Sequence, residues 1–186
     1  GYTIEITDLP GTYALSAYSP EEVYVRRHLV DHTPDIIVNT VVASNLERNL
    51  YLTTELIDIS PKMVIALNMY DELERSGAKF DHNALGEMIG VPMIPIVAPS
   101  GRGIAELLDT IIAVHENRDK RVRHIHIGYG SVIEESLEPL NTDMRQHREE
   151  LTAHFPPRYF ALKMIEGDKE ISALLEATPN YERWQR

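Results

Sequence analysis

Apolar and polar residues alternate along Tyr2-Thr3-Ile4-Glu5-Ile6, the period of a half-buried strand. This predicted strand runs into Asp8-Leu9-Pro10-Gly11, a sharp break in any regular element. Ser19-Pro20-Glu21-Glu22 then opens a helix: Ser19 caps it, Pro20 suits its first position and Glu22 closes a capping box. That helix should stop near Asp31, because Pro34 disfavours helical backbone before it. Ile36-Ile37-Val38-Asn39-Thr40-Val41-Val42 is β-branched and almost continuously apolar, as in a strand covered on both faces. Ser44 and Glu47 repeat the capping-box spacing, and Leu46, Leu50 and Ile57 mark the helical face that follows. Met63-Val64-Ile65-Ala66-Leu67 predicts another buried strand, ending at Asn68. A short helix over 81–89 is closed by Gly90, and Met93-Ile94-Pro95-Ile96-Val97 predicts a short strand. Ile104, Leu107, Leu108, Ile111 and Ile112 fall at helical spacing and give an amphipathic helix.

Strand and helix therefore alternate over about the first 115 residues, which predicts a mostly parallel α/β sheet with helices on both faces. Beyond a polar connector at 117–123 the pattern is helical. Ser131 and Glu134 have capping-box spacing, and Ile133, Leu137, Leu140 and Met144 share a face that Pro139 should kink or split. Pro156-Pro157 starts a helix through Met164, and Asp168 caps one carrying Ile171, Leu174 and Leu175. The expected organisation is residues 1–118 as an α/β domain and 119–186 as a small all-α domain.

Composition narrows the function. The chain has 186 residues, 43% hydrophobic and 25% charged, enough apolar matter for a core. With 18 basic and 29 acidic residues its formal charge is −11, which disfavours nucleic acid and anionic membrane surfaces as partners. Cysteine is absent, so disulfides, thiolate metal sites and cysteine nucleophiles are excluded. No apolar run is long enough to span a bilayer, and no signal peptide opens the sequence. The expected setting is a reducing, cytosolic compartment. Eight histidines occur, yet neither His28/His32 nor His124/His126 has a third ligand that spacing can nominate.

Two loops carry the candidate chemistry, and both follow strands, where ligands bind in such sheets. In Asp8-Leu9-Pro10-Gly11 the carboxylate can hold Mg²⁺ through water, and the glycine lets backbone approach a terminal phosphate. In Asn68-Met69-Tyr70-Asp71 the Asp71 carboxylate can accept paired bonds from guanine N1–H and N2–H₂. Adenine lacks that donor pair, a polar mismatch able to discriminate by roughly 10⁴-fold. Asn68 can stitch this loop to its neighbours. Each string is also what a plain turn requires. Their order shifts the balance toward chemistry: the first loop, then the second two strand–helix units later, then the 97–99 loop after the next strand. This is the layout of a GTP-binding domain from its third motif onward.

The strings Asp8-Leu9-Pro10-Gly11-Thr12-Tyr13, Ala17-Tyr18-Ser19-Pro20-Glu21-Glu22, Ser44-Asn45-Leu46-Glu47-Arg48-Asn49-Leu50-Tyr51-Leu52-Thr53 and Ala66-Leu67-Asn68-Met69-Tyr70-Asp71-Glu72 resemble the cytosolic part of the ferrous iron transport protein B family. The helical tail is similar to the helical domain that follows there. The resemblance implies a GTPase domain and helical spacer on the cytoplasmic face of the bacterial inner membrane, attached to a membrane-embedded Fe(II) transporter. It makes Asp8, Leu9, Pro10 and Gly11 the Mg²⁺ and γ-phosphate switch loop, with Asp8 toward the metal. It makes Asn68, Met69 and Asp71 the guanine-reading loop. Val97, Ala98 and Pro99 become the loop whose backbone N–H, from Ala98, meets guanine O6.

The sequence departs from that pattern in places. No G-x-x-x-x-G-K-[S/T] occurs, and none of the five lysines precedes Ser or Thr. The chain is thus expected to begin inside the domain, without its phosphate-cradling loop. Losing two or three charge-assisted bonds of about 1.5–3 kcal/mol each should leave GTP weakly bound and negligibly hydrolysed. Removing a sheet edge should also promote self-association. Met69 stands where lysine is usual, Val97 where serine is usual, and Thr12-Tyr13 where many GTPases place glutamine. No catalytic residue is nominated. The competing readings are a nucleotide-independent interaction module and a small metal-binding protein.

Overall fold

A computed structural model describes residues 1–16, 19–59, 62–151 and 155–185; Ala17 and Tyr18 of the second string lie outside them. Its centre is a parallel sheet of β1 (Ile37–Val42), β2 (Met63–Asn68) and β3 (Met93–Pro95) in that order. β2 is the middle strand, and five of its six residues are buried. Met63, Ile65 and Leu67 enter one apolar cluster, while Val64 and Ala66 enter another with Ile94, Ile96, Leu107 and Val114. A strand covered on both faces needs no polar alternation, which is why 63–67 reads as an unbroken apolar run. The second cluster is supplied by α5 (Ile104–His115), lying over β2.

β1 corrects the expectation of two covered faces. Asn39 and Val41 are buried, but Val38 on the other face is 40% exposed and Thr40 is exposed as well. The physical reason is position: β1 is the edge strand, and α5 covers the strands beyond it. Its inner face packs on α2 (Leu46–Ile59), where the buried Asn39 amide donates to Thr53 Oγ1 at 2.8 Å. α2 is entered through a 3₁₀ turn, Ala43–Asn45, so Ser44 lies within that turn instead of capping the helix.

α1 (Pro20–Asp31) has the expected ends: Ser19 accepts from Glu22 N–H in a formed capping box. α4 (His82–Ile89) starts at the Asp81 cap and ends at Gly90, at φ +67°. Between β2 and α4 lies α3 (Tyr70–Arg75), a six-residue helix where the hydrophobic pattern gave only a loop. The 2–6 segment belongs to no regular element and is exposed, and no ladder joins it to the sheet among the described residues. A strand needs a neighbour to take its backbone bonds, and alternation alone does not supply one.

The C-terminal part packs α6 (Ser131–Gln146), α7 (Pro157–Ile165), α8 (Lys169–Leu175) and the short α9 (Tyr181–Trp184). α6 passes Pro139 as one helix, and its cap residue is Gly130, not Ser131. Glu134 accepts instead from Tyr129 N–H and pairs with both Nη atoms of Arg158 on α7, at 3.0 and 2.7 Å. Asp168 caps α8 as expected, accepting from Glu170 and Ile171 N–H.

One apolar cluster runs without a break from Ile65 and Leu67 of the sheet to Leu137, Phe160 and Trp184 of the helices. Buried charge reinforces the join. Arg26 of α1, 1% exposed, reaches Asp168 and Glu170, each at 2.5 Å. Lys163 of α7 pairs with Glu55 of α2 at 3.0 Å, and Glu55 also accepts the Leu15 N–H. Both cations are held above their ordinary range despite burial, Arg26 by Asp168 and Glu170, and Lys163 by Glu166 and Glu55. Asp58 is 7% exposed; its Oδ2 accepts from the Tyr129 hydroxyl, while Oδ1 has no protein partner among the described residues. A cavity of about 50 Å³ bounded partly by Asp58, Tyr129 and Lys163 adjoins it, with room for water.

Two outcomes follow from this buried charge. Arg26→Ala leaves Asp168 buried without its partner, and urea unfolding is expected to show a loss of about 3–5 kcal/mol. Burial holds the Asp58 carboxyl above its ordinary range, opposed by the Tyr129 hydrogen bond and by Arg158 and Lys163. A carboxyl raised on folding stabilises the fold below its unfolded value, about 4, and that contribution is lost as pH rises through the folded value. Thermal scans upward from about pH 4 should therefore show a shallower decline for Asp58→Asn than for the parent chain.

Candidate functional site

On the middle strand β2 the first polar side chain comes at its end, at Asn68. The Asn68 side-chain oxygen accepts from Met69 N–H at 2.9 Å and from Ala98 N–H at 3.3 Å. A single amide thus joins the loop after β2 to the loop after β3. Two backbone bonds tighten the same junction: Tyr70 N–H to Ile96 O at 3.2 Å, and Ile96 N–H to Leu67 O at 2.8 Å. Met69 turns the chain with φ +57°, a left-handed conformation uncommon for a side chain of its size. It stays partly exposed beside the junction. One residue further, α3 begins, so Asp71 stands in its first turn.

Asp71 is on the surface, its side chain 40% exposed. Its Oδ2 accepts from Arg75, one helical turn along, at 2.7 Å. Arg75 also donates to the Asp71 carbonyl at 3.2 Å. The hydrophobic pattern gave no sign of this pair, because the helix that brings positions 71 and 75 together is only six residues long. Once α3 is known, the i,i+4 spacing of Asp and Arg explains it.

The loop after β3 is closed by Val97 N–H donating to Arg102 O at 3.0 Å, around a 3₁₀ turn at Ala98–Ser100. Ser100 N–H donates to Val97 O, Gly101 N–H donates to Ala98 O, and Pro99 has no N–H. Ala98 N–H is the remaining donor of residues 97–101, held only by its 3.3 Å bond to Asn68. Gly103 lies at φ +79°, where an added Cβ would overlap the Pro95 carbonyl oxygen. Arg102 forks onto Glu74 of α3, with bonds of 2.7 and 2.6 Å. That contact holds the Glu74 carboxyl below its ordinary range.

The structure therefore brings together Asn68, Met69, Asp71, Val97, Ala98 and Pro99 at the carboxyl ends of β2 and β3. Asp8, Leu9, Pro10 and Gly11 lie in the N-terminal segment, outside any helix or strand. Asp8, Pro10 and Gly11 are exposed, and Leu9 rests half-buried on the main apolar cluster. Neither the 50 Å³ cavity nor a second one of about 170 Å³, between α4 and residues 122–125, is lined by any of these ten residues. Glu74, Arg75 and Arg102 are the members of this surface that the sequence did not single out.

Gly103→Ala forces an L-residue into the left-handed region against the Pro95 carbonyl, and should cost about 2 kcal/mol. Denaturant unfolding measures the loss. The amide signal of Ala98 is expected to shift in the same variant, because the loop must move to accommodate the methyl group.

Both parts of the chain resemble known proteins. Residues 1–111 match the family described as ferrous iron transport protein B, and residues 129–185 match the FeoB cytosolic helical domain. A Porphyromonas gingivalis protein described as an Fe(2+) transport protein A/Fe(2+) transporter FeoB fusion is 50% identical over 179 residues, 96% of this chain and 21% of the relative. The Fe(2+) transporter FeoB of Salmonella typhimurium is 33% identical over 174 residues, 90% of this chain and 21% of the relative. The chain thus spans about a fifth of the length of these curated relatives. Among solved structures, the cytosolic domain of the T. maritima FeoB iron transporter in its GMPPNP form superposes with a TM-score of 0.80 at 28% identity, covering 96% of this chain and 66% of that one. The mGMPPNP-bound NFeoB from S. thermophilus gives 0.81 at 30% identity, covering 96% and 64%. A parallel sheet with helices on both faces, joined to a helical bundle and matched along both parts, settles the assignment: the chain belongs to the ferrous iron transport protein B family, of which it carries G-domain and cytosolic helical-domain sequence.

Proposed function

We propose that this chain is the guanine-nucleotide-binding regulatory portion of a ferrous iron transporter, operating at the cytoplasmic face of the bacterial inner membrane. The observation that carries the reading is the Asn68 amide, which ties Met69 and Ala98 backbone together with Asp71 exposed two residues beyond. A planar base entering there meets a carboxylate able to accept from guanine N1–H and N2–H₂. It also meets the Ala98 N–H, whose long bond to Asn68 can be shared with guanine O6. The Met69 stem can lie on the base face. The relatives in GMPPNP and mGMPPNP-bound forms support the same ligand class.

The 8–11 loop is assigned to the phosphate end. Asp8 is an exposed carboxylate, which suits an Mg²⁺ that keeps most of its waters, and Gly11 can bring an N–H to the γ-phosphate. Residues 1–118 form the G-domain part and 119–186 the helical spacer, with the transmembrane part of the transporter as partner. In the whole protein GTP hydrolysis is coupled to Fe(II) uptake. This 186-residue chain, without a G-x-x-x-x-G-K-[S/T] string, binds GTP weakly and turns it over negligibly. It self-associates through the outer edge of β1. Ile37 N–H donates inward to Lys62 O, so the N–H and C=O groups of Val38 and Thr40 point to the open side.

Calorimetry with GDP, GTP and ATP tests the reading on the full chain. Weak binding that favours guanine, and that falls at least about tenfold in Asp71→Asn, is expected. Equal affinities for the three nucleotides would overturn it, and ordinary GTP turnover would overturn the predicted inactivity. A nucleotide-independent interaction module draws on the apolar cluster shared by sheet and helices and on Arg75 occupying Asp71. Absence of heat with all three nucleotides favours that second reading.

A further inference from the structure

We infer that Glu74 and Arg102 are positioning residues for base recognition, a clamp that fixes the spacing between Asp71 on one side of the site and Ala98 on the other. The inference rests on the guanine reading above and adds two residues that touch no part of the base themselves.

Apart from the fork, α3 packs on the 3₁₀ turn Ala43–Asn45 and its Tyr70 hydroxyl lies 3.4 Å from His82 Nδ1, and neither contact reaches the loop after β3. The helix has six residues, none fully buried, and its first residue follows Met69 with no side-chain cap. Tyr70 and Leu73 alone lean, half-buried, on the apolar cluster. The opposite loop is lightly held: its 3₁₀ turn contains no buried residue. At the front the two are joined by Asn68 and by Tyr70 N–H to Ile96 O. At the back they are joined by the Arg102 fork on Glu74.

Arg102 is well placed for this. Its carbonyl accepts the Val97 N–H that closes the loop, so its backbone is part of the frame that carries Ala98. Glu74 sits three residues after Asp71, almost one turn along the same helix. Two parallel bonds between a guanidinium and a carboxylate fix an angle as well as a distance. An exposed pair of this kind contributes little to global stability. Its effect is on where α3 and the loop after β3 stand relative to each other. Guanine must meet Asp71 with one edge and Ala98 with O6 at the same time, so a shift of either segment sacrifices one contact.

The experiment is a two-dimensional ¹H–¹⁵N NMR titration of the full chain with GMP and with AMP, which reads weak binding directly. Glu74→Gln and Arg102→Gln are compared with the exchanged pair, Glu74→Arg with Arg102→Glu, and with Asp71→Asn. Each single clamp variant should weaken GMP by about three- to tenfold, with AMP unaffected, while the melting temperature stays within about 2 °C of the parent. The exchanged pair should recover GMP affinity to within about twofold of the parent. Single variants that bind GMP like the parent, or an exchanged pair that recovers nothing, overturn the clamp. If those results come with Asp71→Asn still abolishing the GMP preference, the base site stands and the clamp alone falls. If the parent does not prefer GMP to AMP, both fall together.

Discussion

Burial of both faces of β2 is the constraint on which the remaining structure depends. A central strand with five of six residues buried must be covered above and below, and this chain does so with unlike materials. α5 covers one face with Leu107 and Val114 against Val64, Ala66, Ile94 and Ile96. The other face takes α2, and beyond it the same apolar cluster continues into the C-terminal helices. The strand can become polar only at its end. Asn68 is therefore the first side chain of β2 able to do chemistry, and its neighbours across the sheet edge are dictated by the parallel register. A site at this point is a consequence of the sheet before it is a property of any motif.

The ionic links between the two parts obey the same logic. Arg26 and Lys163 are almost fully withdrawn from water, which is tolerable only with carboxylates in contact. Asp168 and Glu55 meet the requirement and also serve backbone: Asp168 caps α8, and Glu55 receives the Leu15 N–H. Each carboxylate thereby fixes a helix or a loop in addition to neutralising a cation. Glu55 connects the segment after the 8–11 loop to α7, so the helical part is joined to the chain near its proposed phosphate end as well as to the sheet.

Much of the fold was legible because local signals agreed with burial. The Ser19 capping box, the Asp168 cap, the Gly90 stop and the apolar run of 63–67 each depend on contacts within one element or on uniform covering. The errors share a cause too. Ser44 and Ser131 have capping-box spacing but lie inside a turn and a helix, because the entry geometry is set by the preceding strand or glycine. Strand β1 looks double-covered and is not, since continuous apolarity cannot reveal that a sheet has ended. The 2–6 alternation is correct for a strand but finds no neighbour among the described residues. Helix α3 escaped notice because six residues hold too little of a 3.6 period to stand out.

The sequence alone determined the alternating architecture, the two loops rich in polar turn residues and the family, since these are written in short-range order and in strings of adjacent residues. Only the tertiary structure decided that Asn68 grips Ala98, that Arg75 lies on Asp71 and that Arg102 forks onto Glu74. Two of those contacts join positions about thirty apart along the chain. Their geometry follows from strand register and loop closure, quantities set by packing of the whole sheet, so no local pattern of residues can encode them.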